Sequence, residues 1–177
     1  MKVNDRGIWL ENGGHKHDAD LSQAIADTLL RHQIKSVIDI GCGDCSYSDY
    51  LTERGLECIG YDGNPNSDRI ADFSELQNLG FYDCVLSLEV GEHIPAEYES
   101  NFIANLTNHA RKLIIMSWAI PGQGGVGHVN ECENNYVILL MLERGWRYER
   151  HLSDNLRASV SNCYWLRDTI MAFRRVS

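Results

Sequence analysis

Apolar residues recur along this chain in two rhythms. Leu21, Ile25, Leu29 and Leu30 return at near-helical spacing, which predicts a helix over 20–32 opened by an Asp18 or Asp20 cap. The β-branched run 36–40 ends in glycines, and 47–54 reads as a short helix stopped by Gly55. A second strand over 57–61 runs into the turn cluster "DGNPN". "YDCVLSLEV", 82–90, is the clearest interior strand; 95–110 follows as a helix with Pro95 near its first turn and Phe102, Ile103 and Leu106 on one face. The rest comprises a strand over 112–118, the loop "PGQGGVGHVN", a helix over 131–143 stopped by Gly145, and strands near 146–152 and 164–174.

Alternating strand and helix predicts an α/β fold, a Rossmann-like doubly wound, mostly parallel sheet of about seven strands. One of the seven, at 69–71, would need an abnormally short crossover from Asp62. The last two strands, with no helix read between them, predict an antiparallel hairpin at one edge. The chain, 1–177, is expected to be a single domain, with 36–177 as sheet core and 1–35 as an N-terminal arm and helix folding across the site as a lid.

Composition narrows the partners. A length of 177 residues with 44% hydrophobic content supports one full core. Sixteen Lys and Arg against 25 Asp and Glu give a net charge of −9, which argues against nucleic acid and for a neutral or cationic small molecule. Apolar runs such as 112–119 fall far short of the roughly 20 residues that span a bilayer, and the polar start carries no apolar signal core. A soluble, cytoplasmic protein without a membrane partner is expected, with its six cysteines reduced. Oligomeric state is left open.

The stretch "SVIDIGCGDCSYSDYL", 36–51, holds a Cys-x-x-Cys and a Gly-x-Gly together. Redox chemistry would use Cys42 and Cys45; a nucleotide pocket would use Gly41 and Gly43, whose missing Cβ lets a ligand approach the backbone. Ser46 stands where a pyrophosphate-binding turn wants its third glycine, which weakens the dinucleotide reading. Asp62, ending the second strand 19 residues beyond Gly43, can accept hydrogen bonds from both ribose hydroxyls of an adenosine. The combination asks for adenosine without requiring phosphates.

"VIDIGCGDC", "CIGYDGNP", "ADFSE" and "YDCVLSLEVGEHIP", in that order, resemble the motifs of class I S-adenosylmethionine-dependent methyltransferases of the type 11 group. The resemblance implies S-adenosylmethionine as cofactor, with S-adenosylhomocysteine as its product. It implies Asp39, Gly41 and Gly43 along the methionine end, Asp62 on the ribose, Asp72 and Phe73 at the adenine, and Leu88 and Glu89 beside the sulfur. Cys45 departs from the pattern, standing where many members carry a third glycine, and the short crossover weakens the Asp72 assignment.

If the acceptor is a hydroxyl, a base must take its proton, and His93 and His128 are the candidates at the carboxyl edge of the sheet. Glu89, Glu92, His93 and His128 also supply donor types suited to a divalent ion; related segments occur in metal-using methyltransferases and in many that need none, so no metal ligand is assigned. The expected activity is O-methylation of a small-molecule or sugar acceptor. Against it stand a catalytically inactive cofactor-binding scaffold and a nicotinamide-dependent oxidoreductase on the same type of sheet. Trp9, His15 and His17 are candidates for pocket wall, and Trp118 either stacks on a ring or completes the core.

Overall fold

The structure, a computed structural model, describes residues 2–11 and 13–176. Met1, Asn12 and Ser177, which fall within the ranges expected for the arm and the sheet core, lie outside the described residues. The elements run α1 (Ala19–Arg31), β1 (Ser36–Ile40), α2 (Ser46–Glu53), β2 (Glu57–Tyr61), β3 (Tyr82–Ser87), α3 (Glu99–His109), β4 (Ala110–Met116), α4 (Asn134–Glu143), β5 (Trp146–Tyr148), α5 (Arg150–Ala158), α6 (Leu166–Thr169) and β6 (Met171–Arg175). The sheet order is β2-β1-β3-β4-β6-β5. The first four strands are parallel, and β6 runs antiparallel to both β4 and β5.

Two expectations need correction. Among the described residues the sheet has six strands rather than seven, because the segment at 69–71 makes only an isolated parallel bridge, Asp62 to Ile70. The chain between those residues is too short for a crossover helix that would extend the pairing. The late antiparallel pair exists but is not a hairpin, since α5 and α6 lie between β5 and β6. These helices bury Ser153, Leu156 and Leu166 against α1 and the sheet.

Side chains alternate across each strand, so each face receives its own core. On one face Leu21, Ile25 and Leu29 of α1 pack against Leu86, Leu113 and Ile115. On the other, Phe102 and Leu106 of α3 and Met141 of α4 meet Val85, Ile114 and Phe173. Each such fully buried side chain contributes about 1.5–3 kcal/mol before conformational entropy is subtracted. Both faces being covered explains why β1, β3 and β4 read as nearly continuous apolar runs rather than as alternating ones.

Asp18 fastens the N-terminal region to the far end of the chain. It caps α1 by accepting Leu21 N–H at 3.0 Å, and its other oxygen accepts Ser161, Asn162 and Cys163 N–H at 3.0, 2.7 and 2.9 Å. Burial alone would raise its pKa, but the backbone donors, Cys163 first, hold it below the usual carboxylate range. The segment that follows this clamp is thereby fixed beside the carboxyl ends of the strands. No helix among the described residues is long and apolar enough to cross a membrane.

Candidate functional site

A cavity of about 760 Å³ opens at the carboxyl ends of β1 to β4, the place where an open α/β sheet offers a crevice. Its floor begins at β1. Asp39 is buried and accepts Ser48 Oγ at 2.7 Å; burial pushes its pKa up to about 7. After the strand the backbone turns sharply, with Gly41 and Cys42 N–H both donating to Tyr61 O at 2.8 and 3.1 Å. Gly41 has a φ of +78°, and a Cβ there would run into Val90. Gly43 has a φ of +56°, and its missing Cβ leaves the space taken by the His15 ring. Cys45 also adopts the left-handed conformation, with a φ of 61°. That non-glycine backbone costs about 1–2 kcal/mol.

The end of β2 meets this turn directly. Gly43 N–H donates to Asp62 Oδ2 at 2.8 Å, and Asn64 N–H donates to Oδ1 at 2.8 Å. Each carboxylate oxygen keeps a further lone pair. Asp39, Gly41, Gly43 and Asp62 therefore share one wall of the cavity.

Phe73, Leu88 and Glu89 also line it, whereas Asp72 does not. Asp72, expected at the adenine, instead accepts Ser74 N–H and Oγ–H through Oδ1 at 2.9 and 2.6 Å, and Arg6 through Oδ2 at 2.8 Å. Ala71 and Phe73 flank it and face the cavity while Asp72 faces the N-terminal arm, the alternation of an extended segment.

The arm is part of the wall. Val3 and Trp9 form an antiparallel bridge, Arg6 pairs with both Asp72 and Glu75, and Gly7 packs against the His93 carbonyl so closely that a Cβ would collide with it. Ile8 abuts Gly63, and Trp9 stacks on His15 with centroids 5.2 Å apart. His17 lies off the cavity lining, bonded to Ser22 and set against Tyr47. Trp118 completes the core: it is fully buried, packs edge-on against Phe102, and donates Nε1–H to Asn130 O at 2.6 Å.

Beyond Glu89 the acidic and imidazole groups separate into two arrangements. Glu89, at φ 56°, accepts Ser117 Oγ through Oε1 and Gln123 Nε2 through Oε2, each at 2.8 Å, and burial raises its pKa. Glu92, in the turn Gly91–His93, is fully buried, and neither carboxylate oxygen makes a hydrogen bond among the described residues. Burial, and then the neighbouring Glu89, push its pKa well above the carboxylate range. The His93 and His128 rings meet edge to face, 4.9 Å between centroids. His93 Nδ1 bonds Gly127 O at 3.2 Å, and burial and then His128 pull its pKa down to about 4. His128 Nδ1 bonds Glu131 at 3.0 Å, while its Nε2 stands 4.0 Å from Glu92 Oε1.

Ligand atoms of Glu92, His93 and His128 all lie within 4.8 Å of one another. One carboxylate and two imidazoles suit a divalent ion, and Glu92, without a hydrogen bond among the described residues, is the group such an ion would satisfy. Glu89, grouped with this set from sequence, is held instead by Ser117 and Gln123. Sequence reasoning also missed the wall at 163–168, including Tyr164, Trp165 and Asp168, because that segment had been assigned to a strand. It missed Glu131 as well; the only signal was a carboxylate three residues after a loop histidine.

The family described as "Methyltransferase domain" matches residues 14–152. A chloroplastic tocopherol O-methyltransferase of Arabidopsis thaliana is 30% identical over 144 residues, 64% of this chain and 41% of that protein. The chain thus spans about two fifths of the length of that curated relative. Among solved structures, the sugar N-methyltransferase KedS8 of Streptoalloteichus superposes with a TM-score of 0.70 at 13% identity, covering 100% of this chain and 99% of that one. Magnesium protoporphyrin IX methyltransferase of Synechocystis, solved with bound SAH, gives 0.65 at 18% identity, covering 92% and 90%. At these identities the structural likeness is one of fold.

Proposed function

The chain belongs to the methyltransferase-domain family, and from that premise we propose that it binds S-adenosylmethionine and moves its methyl group to a hydroxyl of a small molecule. The observation that carries the reading is the Gly43–Asp62 hydrogen bond at 2.8 Å, which joins the glycine turn and the strand-end carboxylate in one cavity. Asp62 would take the ribose hydroxyls, Phe73 would flank the adenine, and Asp39, Gly41 and Gly43 would line the methionine end. Leu88 and Glu89 would border the sulfonium. The latched arm, with Ile8 and Trp9 in the wall, would act as the lid that keeps water out.

In the reaction the acceptor oxygen attacks the methyl carbon in line, the carbon–sulfur bond breaks, and S-adenosylhomocysteine leaves. The hydroxyl proton would pass to an imidazole Nε2 of His128 or His93, the latter a weak base because burial lowers its pKa to about 4. Methyl transfer needs no covalent nucleophile, so the chain's contribution is alignment, exclusion of water and removal of that proton. The two partly buried imidazoles favour a hydroxyl acceptor, because an amine with a free lone pair needs no base before it attacks. The acidic balance of the chain supports a small acceptor over a polyanion, and a cytoplasmic site of action belongs to the same reading.

A metal-assisted form is a second reading, favoured by Glu92, which makes no hydrogen bond among the described residues. Glu92, His93 and His128 would hold the ion, which would lower the pKa of the acceptor hydroxyl. A labelled-methyl screen over tocopherols, other phenols, quinols, sugars and amino sugars, run with Mg2+ and with EDTA, tests both forms. Transfer to a hydroxyl acceptor supports the proposal, and its abolition by EDTA would favour the metal-assisted form. Tight S-adenosylhomocysteine binding with no transfer to any acceptor would favour an inactive scaffold and overturn it.

A further inference from the structure

We propose that Glu131 is a positioning residue that fixes the tautomer of His128 and, by the same carboxylate, holds the glycine loop against it. This rests on the proposed methyl transfer, in which the His128 imidazole faces the acceptor side of the cavity. The geometry supplies the argument. Glu131 Oε1 bonds His128 Nδ1 at 3.0 Å and accepts Gly124 N–H at 2.7 Å; Oε2 accepts Gly122 N–H at 2.7 Å. An ionised carboxylate only accepts hydrogen bonds, so Nδ1 must carry the imidazole proton. Nε2 is left with its lone pair, 4.0 Å from Glu92 Oε1 and at the cavity wall.

The loop reinforces that orientation. Gly125 lies so close to the His128 ring that a Cβ would overlap it, so the ring is seated on bare backbone. The His128 side chain is 11% exposed, leaving little room for another rotamer. The loop at 121–127 is rich in glycine and would otherwise sample many conformations; Glu131 removes that freedom at Gly122 and Gly124 while setting the ring. A carboxylate that fixes an imidazole tautomer by accepting its Nδ1–H is a recurrent way to keep Nε2 available to a reacting proton or to an ion.

The test compares Glu131→Gln, Glu131→Asp and Glu131→Ala in the full chain. In the Gln variant the amide oxygen can still accept Nδ1–H and Gly124 N–H, so the Ala variant, which removes the acceptor, is the one that frees the imidazole proton to move to Nε2. Nitrogen-15 NMR of histidine-labelled protein, with the His128 signal assigned through His128→Gln, reads the tautomer without any acceptor. The expected result is Nδ1–H in the wild type and in Glu131→Asp, and Nε2–H in Glu131→Ala. On the hydroxyl acceptor found in the screen, Glu131→Ala should lose about 100-fold or more in turnover. Its affinity for S-adenosylhomocysteine should stay within about twofold of the wild type, and Glu131→Asp should recover part of the lost rate.

Retention of the Nδ1–H tautomer in Glu131→Ala would overturn the inference. So would an equal loss of thermal stability, ligand affinity and turnover in all three variants, which is the signature of a loop clamp alone. A wild type that binds no S-adenosylhomocysteine would instead count against the proposed function, and the tautomer measurement would still decide the role of Glu131.

Discussion

Asp62→Ala is expected to weaken S-adenosylhomocysteine binding at least about 100-fold, equivalent to about 2.7 kcal/mol, as read by isothermal titration calorimetry. One hydrogen bond to a charged group is worth about 1.5–3 kcal/mol, so loss of the proposed pair of ribose hydrogen bonds makes about 100-fold a lower bound. The substitution also frees Gly43 N–H and Asn64 N–H, which Asp62 now accepts. Asp62→Asn separates the two effects. Its remaining oxygen can still take one backbone donor, so a loss of only about tenfold is expected there. Wild-type affinity in Asp62→Ala would mean that the ribose lies elsewhere.

Trp118→Ala should cost about 3–5 kcal/mol of folding stability, measured by urea denaturation. Trp118 is fully buried, meets Phe102 with ring centroids 5.6 Å apart, and leaves Gly91 no room for a Cβ. Its removal opens a cavity beneath the turn that carries Glu92 and His93, and it strips Asn130 O of its indole donor. A loss of this size is a large fraction of the roughly 5–15 kcal/mol by which domains are stable. Trp118→Phe keeps most of the volume but loses the hydrogen bond, and should fall between wild type and Ala. A change below about 1 kcal/mol for Trp118→Ala would show that the indole is not the core anchor its burial makes it.

How much of this was legible from residues alone depended on the range of the interaction. The Gly41–Gly43 turn and Asp62 were readable because local backbone demands and strand ends leave a mark at fixed spacing, and the structure joins them. The two faces of core followed from apolar rhythm, as in α1 and α3. Helix α5 escapes the reading although Leu152 and Leu156 stand one helical turn apart in "RHLSDNLRA", because its first turn reads as the end of the strand near 146–152. Its partner segment, 163–168, is held by Asp18 from the other end of the chain, a contact that no local pattern could announce.

The same distinction governs the site. His93 and His128 were candidates because both follow strands at one sheet edge, but their edge-to-face contact depends on how the glycine loop folds. Asp72 was assigned by motif, and one residue of alternation turned it from the cavity toward Arg6. Glu131 needed the loop conformation itself, since its carboxylate gathers donors from three separate residues.

The central claim is that an adenosyl ligand occupies the cavity between the glycine turn and the end of β2. A crystal structure of the chain grown with S-adenosylhomocysteine tests it most directly. The account predicts the ribose hydroxyls on Asp62, the adenine against Phe73, and the sulfur beside Leu88 and Glu89. Density for the nucleoside away from Asp62, or a cavity left empty at saturating ligand, would contradict it.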